Sequence, residues 1–132
     1  MNGEDNGLMA ALTLMALSAR TAPKGKGKDS IVTRIILKEE LPALAARMKA
    51  FGEEYHLSLF IRDAGNVAAS AACLVVGVRG QETLGIDCQG CGYPSCSAMS
   101  EACREREVTG SPFAGPNCIM KITDLGIAIG SA

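Results

Sequence analysis

The chain has 132 residues, 48% of them hydrophobic, with 13 basic residues set against 14 acidic ones. One domain with a real core is the expected organisation. The near-zero net charge excludes the basic field on which binding to nucleic acid or an anionic membrane draws.

Leu8, Leu12, Met15 and Ala19 recur at helical spacing, so residues 4–21 are predicted to form a first helix, which Pro23 ends. The apolar run from Leu8 to Ala19 has the length of a signal peptide, but Glu4 and Asp5 precede it and no Lys or Arg does. The missing positive n-region argues against secretion. No stretch is long enough to span a bilayer. Lys24-Gly25-Lys26-Gly27-Lys28 follows as a basic loop. It reads either as a cradle for a flavin or nucleotide phosphate or as a solvated turn, and it lacks the G-x-x-x-x-G-K-[ST] spacing of a nucleotide-binding loop.

Ile31–Leu37 is rich in β-branched residues and is predicted to be a strand. Glu39 to Tyr55 reads as a second helix with Leu41, Leu44, Met48, Phe51 and Tyr55 as its buried stripe. Glu39 and Glu40 are expected in its first turn, where the helix dipole favours acids. His56, the one histidine, falls near that helix's C-terminus, and no Ser or Cys arrangement around it points to nucleophilic catalysis. Asp63 is expected to cap a short helix through Ser70, although the polar run Arg62-Asp63-Ala64-Gly65-Asn66 is also a candidate ligand contact. Ala71 to Val78 reads as a fully buried strand. Asp124 to Ala132 reads as the start of a further helix, capped by Thr123 or Asp124. The chain stops before that apolar helix is complete, which points to a fragment of a longer protein.

Six cysteines are many for this length. In a reducing cytoplasm, clustered cysteines mean metal or redox chemistry rather than disulfides. Residues 79–121 hold the motif, together with six of the glycines and three of the five prolines. Cys88-Gln89-Gly90-Cys91-Gly92-Tyr93-Pro94-Ser95-Cys96 is a C-x2-C-G-x3-C run, and Cys118 follows in Gly115-Pro116-Asn117-Cys118. A cubane needs four thiolates converging from different directions. A C-x2-C step lets one turn present two sulfurs, and Gly90 and Gly92 permit backbone conformations that other residues resist. Zinc is the rival metal, but structural zinc usually takes two C-x2-C knuckles. This chain has one such pair, with x4 and x21 as its other spacings. Cys103 competes with Cys118 as fourth ligand; its other reading is a small buried residue on a helix with Ala98 and Ala102. Cys73 lies in the apolar strand and reads as core.

The blocks Gly85-Ile86-Asp87-Cys88, Cys91-Gly92-Tyr93-x-x-Cys96 and Asp124-Leu125-Gly126-Ile127-Ala128-Ile129-Gly130-Ser131-Ala132 resemble a prokaryotic family described only as containing a ferredoxin domain. The stretches Ala19–Gly27 and Phe60–Ala64 are similar to it as well. The resemblance covers nearly the whole chain and implies an iron–sulfur cofactor but no particular reaction. Members of that family usually run on past Gly-Ser-Ala. A looser resemblance is to nitroreductase-like flavoproteins, in which a helix, an Ala-Pro turn, a strand, a helix, a buried strand and a dimer helix follow one another. Ala22-Pro23, Ile31–Leu37, residues 39–55, Ala71–Val78 and residues 124–132 keep that order. Lys24 and Gly27 stand where Ser and Asn would contact flavin, and the usual flavin-phosphate segment has no counterpart. The expectation is therefore weak flavin mononucleotide binding or none.

These readings combine into a single α/β (α+β) domain: a small sheet flanked by helices, nitroreductase-like, with a cysteine-rich insertion. Residues 1–78 form the α/β part, 79–121 the iron–sulfur segment and 122–132 the start of the last helix. The expected function is electron transfer through a [4Fe–4S] cluster on Cys88, Cys91, Cys96 and Cys118, with a redox partner of unknown identity and neither nucleic acid nor membrane. The alternatives are a flavin- or substrate-dependent oxidoreductase and a structural-zinc binding module. The nitroreductase-like resemblance further implies a homodimer through the last helix, and the expected location is the cytoplasm.

Overall fold

The computed structural model describes residues 2–106 and 112–132. Its elements are α1 (Gly3–Thr21), β1 (Ile31–Leu37), α2 (Leu41–Glu54), α3 (Ser58–Ala69), β2 (Ala72–Val78), α4 (Cys96–Glu105) and α5 (Ile119–Ser131), with a single 3-10 turn at Gly25–Gly27. β1 and β2 pair as a two-stranded sheet. They run antiparallel: Ser30 O accepts from Arg79 N at 3.0 Å, and Val32 lies opposite Gly77. The class is mixed α+β, as the sequence leads one to expect. The chain gathers into two compact units, one holding Arg34–Val75 with the start of α1 up to Leu12, the other holding Thr13–Thr33 with Val76–Ala132.

In the first unit α2 and α3 form a helical hairpin. Leu41 and Ala45 are buried and Leu44, Met48, Phe51 and Tyr55 half-buried, so the expected stripe faces inward. Gly52 lets the two helices close up, because a Cβ there would sit 2.8 Å from Ile61 Cγ1. Phe51 packs against Tyr55 and Phe60 with ring centroids 4.7 and 5.1 Å apart. His56 follows α2 with φ 56°, the left-handed conformation that commonly ends a helix.

Three expectations are corrected here. Glu39 and Glu40 precede α2 rather than forming its first turn. Pro42 occupies that turn, where its missing N–H is no loss, and Glu40 pairs with Arg34 at 2.5 Å. Asp63 does not cap a helix; α3 starts at Ser58 and Asp63 lies in mid-helix, paired with Arg62 at 2.7 Å. Phe60, Ala64 and Val67 carry the inward face of this helix at helical spacing, a periodicity that the adjacent charged pair interrupts. β2 is not fully buried, since Val75 is 42% exposed. A sheet of two strands has too little covering structure to hide both faces.

The second unit is built on small side chains. Ala19, Ala22, Ile31 and Ala128 form its core, with Val76, Val78 and Leu125 packed against them. The basic loop is tied down by its own lysines. Lys24 Nζ donates to the carbonyls of Ala19, Arg20 and Ala22 at 3.0, 3.0 and 2.6 Å, which satisfies acceptors that the end of α1 leaves open. Lys26 Nζ reaches Leu84 O at 3.4 Å.

The last helix also departs from expectation. It begins at Ile119 with Cys118 as its N-cap, so Thr123 and Asp124 lie inside it. Thr123 Oγ1 donates back to Ile119 O at 2.9 Å. Lys121, 1% exposed, donates from Nζ to Lys28 O at 2.8 Å and stands 3.9 Å from Asp124 Oδ2. Asp124 Oδ1 accepts from Gly25 N at 2.9 Å. Two charged residues, Lys121 and Asp124, are thus on the buried side of the helix, while Ile122, Ile127 and Ile129 are exposed. No helix among the described residues is long and apolar enough to cross a membrane.

Breaking a buried ion pair from one side leaves the other charge uncompensated. Lys121→Met is therefore expected to lower stability by about 3 kcal/mol in urea unfolding; a loss below about 1 kcal/mol, the scale of an exposed pair, would show that the pair does not hold α5. Glu82 gives a pH signature. The Ser30 hydroxyl, then the Arg79 guanidinium, hold its carboxyl below the ordinary 4.5. Its contribution to stability is present above 4.5 and is lost as pH falls through the lowered folded-state value. Glu82→Gln should flatten that part of the acid unfolding profile, and an unchanged profile would count against the assignment.

Candidate metal centre

After β2 the chain runs irregularly to Ser95. Gly85, Asp87, Gln89 and Gly92 take left-handed backbone conformations, with φ of 67°, 46°, 59° and 86°. Such residues reverse the chain tightly, and at Gln89, which has no special tolerance for that region, the conformation costs of order 1 kcal/mol. A turn closes from Gly92 N to Gln89 O at 2.9 Å, with Gly90 and Cys91 at its centre. Gly90 is required for packing. A Cβ there would lie 2.6 Å from Ile119 Cγ2 and 3.6 Å from Cys88 Sγ. The turn that carries Cys88 and Cys91 therefore rests directly on the first turn of α5.

Cys96 is the first residue of α4. Ser95 caps that helix, its side chain accepting from Ala98 N at 3.1 Å. The Cys96 amide donates to Asp87 Oδ1 at 2.7 Å. Cys118 caps α5, and its own amide donates to Gly80 O at 2.7 Å, fastening the start of that helix to the segment just after β2.

Three separate stretches thus bring Cys88, Cys91, Cys96 and Cys118 to the wall of one small pocket, lined otherwise mostly by apolar side chains such as Leu84, Ile86, Met99 and Ile119. The cysteines are graded in exposure: Cys88 exposed, Cys91 and Cys96 half-buried, Cys118 buried. Cys96 and Cys118 stand at the N-termini of α4 and α5. All six cysteines are free thiols. Among the described residues no three His, Cys, Asp or Glu side chains are gathered as ligands of a single ion.

The other sequence candidates lie elsewhere. Cys103 does not line the pocket; its Sγ bonds to Pro116 O at 3.3 Å and touches Met99 Sδ at 3.4 Å. Cys73 is half-buried in β2. His56 is exposed, and Arg62 and Asp63 pair with each other on α3. Sequence reasoning missed the roles of Asp87, Leu84, Met99 and Ile119. Ser95 ahead of an Ala-rich stretch was a readable cap signal, whereas nothing in the sequence ties Asp87 to an amide nine residues on.

The pocket carries four cysteine sulfurs, the soft donors that iron–sulfur groups and zinc both take, beside apolar side chains. Comparison with known proteins finds no family model that matches the chain. No solved structure matches it either. The chain is 44% identical over 129 residues to an uncharacterised protein of Archaeoglobus fulgidus, a match covering 98% of this chain and 67% of that protein. It belongs to that protein's family.

Gly90→Ala is expected to cost about 1–3 kcal/mol, the scale of core overpacking, because the methyl group collides with Ile119. Adding Ile119→Ala should return part of that loss in urea unfolding. A single variant as stable as the wild type would mean that the turn does not rest on α5.

Proposed function

We propose that the chain is an iron–sulfur protein in which Cys88, Cys91, Cys96 and Cys118 hold a [4Fe–4S] cluster, and that it transfers electrons to a redox partner in the cytoplasm. The observation that carries this reading is the lining of one pocket by four cysteines drawn from three stretches of chain. When bound, such a cluster supplies a one-electron centre whose potential follows its burial and hydrogen bonding. The protein's part is to present the thiolates, exclude water from the apolar side, and leave one edge, at Cys88, open to a partner.

Zinc is the weaker fit. Structural zinc usually takes two C-x2-C knuckles, whereas this chain has one such pair, with x4 and x21 as its other spacings. The flavin-dependent reading loses support from the loop, because Lys24 and Lys26 are turned onto backbone carbonyls. The element order α1–β1–α2–α3–β2, with α3 as an additional helix before the second strand, is compatible with a nitroreductase-like framework carrying the cysteine segment as an insertion, and that is the finer fold we propose. A homodimer through α5, with its exposed isoleucines, goes with it.

Protein purified anaerobically, or reconstituted with iron(II) and sulfide, is expected to be brown and to carry about four irons and four sulfides per chain. Cys118→Ala should lose the cluster, while Cys103→Ala, which removes the bond to Pro116 and the contact with Met99, should keep it. Colourless anaerobic protein with one tightly held zinc would overturn the proposal. A cluster that survives Cys118→Ala but not Cys103→Ala would exchange the two ligands.

A further inference from the structure

Asp87 immediately precedes Cys88, and its backbone is left-handed at φ 46°. Besides glycine, Asp and Asn are the residues that enter that region most readily. From this position its Oδ1 accepts from the amide of Cys96 at 2.7 Å. That amide is one of the donors that the first turn of a helix leaves open. Ser95 Oγ takes the amide of Ala98, so Asp87 and Ser95 share the capping of α4. The Asp87 bond is therefore a direct tie between the turn bearing Cys88 and Cys91 and the helix bearing Cys96.

We infer that Asp87 is a positioning residue of the cysteine pocket, setting the register of Cys88 against Cys96, and that its carboxylate keeps the reduction potential of the centre low. The inference rests on the cluster reading above. Two effects act with the same sign. A fixed negative charge beside the cysteines disfavours the added electron. The same carboxylate also engages the Cys96 amide, which is then withheld from the cluster sulfurs, where N–H donors favour the reduced state.

The test uses the full chain, reconstituted with iron(II) and sulfide, as wild type, Asp87→Asn and Asp87→Gly. Asn keeps an acceptor oxygen and the left-handed backbone and removes the charge; wild-type iron content with a higher midpoint potential is expected. Gly keeps the backbone and removes the tie; it should bind less iron than Asp87→Asn and lose it faster to a chelator. In the metal-free proteins the Cys96 amide should exchange with solvent about tenfold faster in Asp87→Gly than in Asp87→Asn, the effect of losing a hydrogen bond worth about 1.4 kcal/mol. Wild type that loads normally, beside two variants matching it in iron content, potential and amide exchange, would overturn this inference and leave the cluster reading intact. Wild type that takes up no iron would overturn the cluster reading and the potential argument with it, and the amide exchange would then decide by itself whether Asp87 positions Cys96.

Discussion

Lys121 is among the largest side chains that the protein buries completely, with 1% of its surface exposed. An ammonium group in that position costs several kcal/mol of desolvation unless it is answered from within. Lys28 O and the carboxylate of Asp124 answer it, and Asp124 also holds the amide of Gly25. The loop Lys24–Lys28 and the helix α5 are thereby locked together. Asp124 Oδ2, a buried polar atom without a hydrogen-bond partner, has Lys121 as its countercharge. Because Cys118 is the N-cap of α5, the seat of this helix also sets where the fourth cysteine of the pocket stands.

The neighbouring contacts extend that constraint to the rest of the site. Gly25 approaches Leu84 so closely that a Cβ would fall 2.7 Å from Leu84 Cδ1. Leu84 in turn lines the cysteine pocket, and Lys26 holds its carbonyl. Ile119, one residue beyond the cap, supports the Gly90 turn. The pocket is a joint of α5, α4 and the irregular 79–95 segment, each fixed by a small number of close contacts. Substitutions at Gly25 or Lys121 therefore act on the cysteines through their neighbours, and one at Gly90 also meets Cys88 directly.

The six cysteines divide by environment rather than by chemistry. Four line the pocket, and Cys103, on the same helix as Cys96, bonds instead to the carbonyl of Pro116 and packs on Met99. In the proposed role this gives Cys103 a structural duty, bracing α4 against the stretch that leads into Cys118. In that same proposed role, the graded exposure from Cys88 to Cys118 would give an outer edge for electron exchange and an inner one in a low-dielectric setting, where charge interactions are strongest.

Periodic segments with their stop signals were legible in the sequence. The extent of α1 up to Pro23, the β-branched run of β1 and the stripe of α2 follow from local chemistry, and the structure has them within a residue or two, although Met15 of the expected α1 stripe is exposed. The C-x2-C-G-x3-C spacing and the glycines in it likewise belong to one stretch of chain, so the turn they make is local. What the sequence left undetermined depends on partners far along the chain. Asp63 looked like a cap because an acid ahead of an apolar run usually is one, yet the packing of Phe60 on Phe51 carries α3 past it. Asp124 read as a possible cap of the last helix and Lys121 carried no signal, until the tertiary structure supplied Gly25 N and Lys28 O, residues roughly a hundred positions away. Lys24 looked free until the end of α1 offered it three carbonyls. The approach of Cys118 to the other three cysteines is of the same kind. Spacing names the ligand types, but only the buried ion pair and the close packing at Gly25 and Gly90, both interactions across space, decide that four thiols share one pocket.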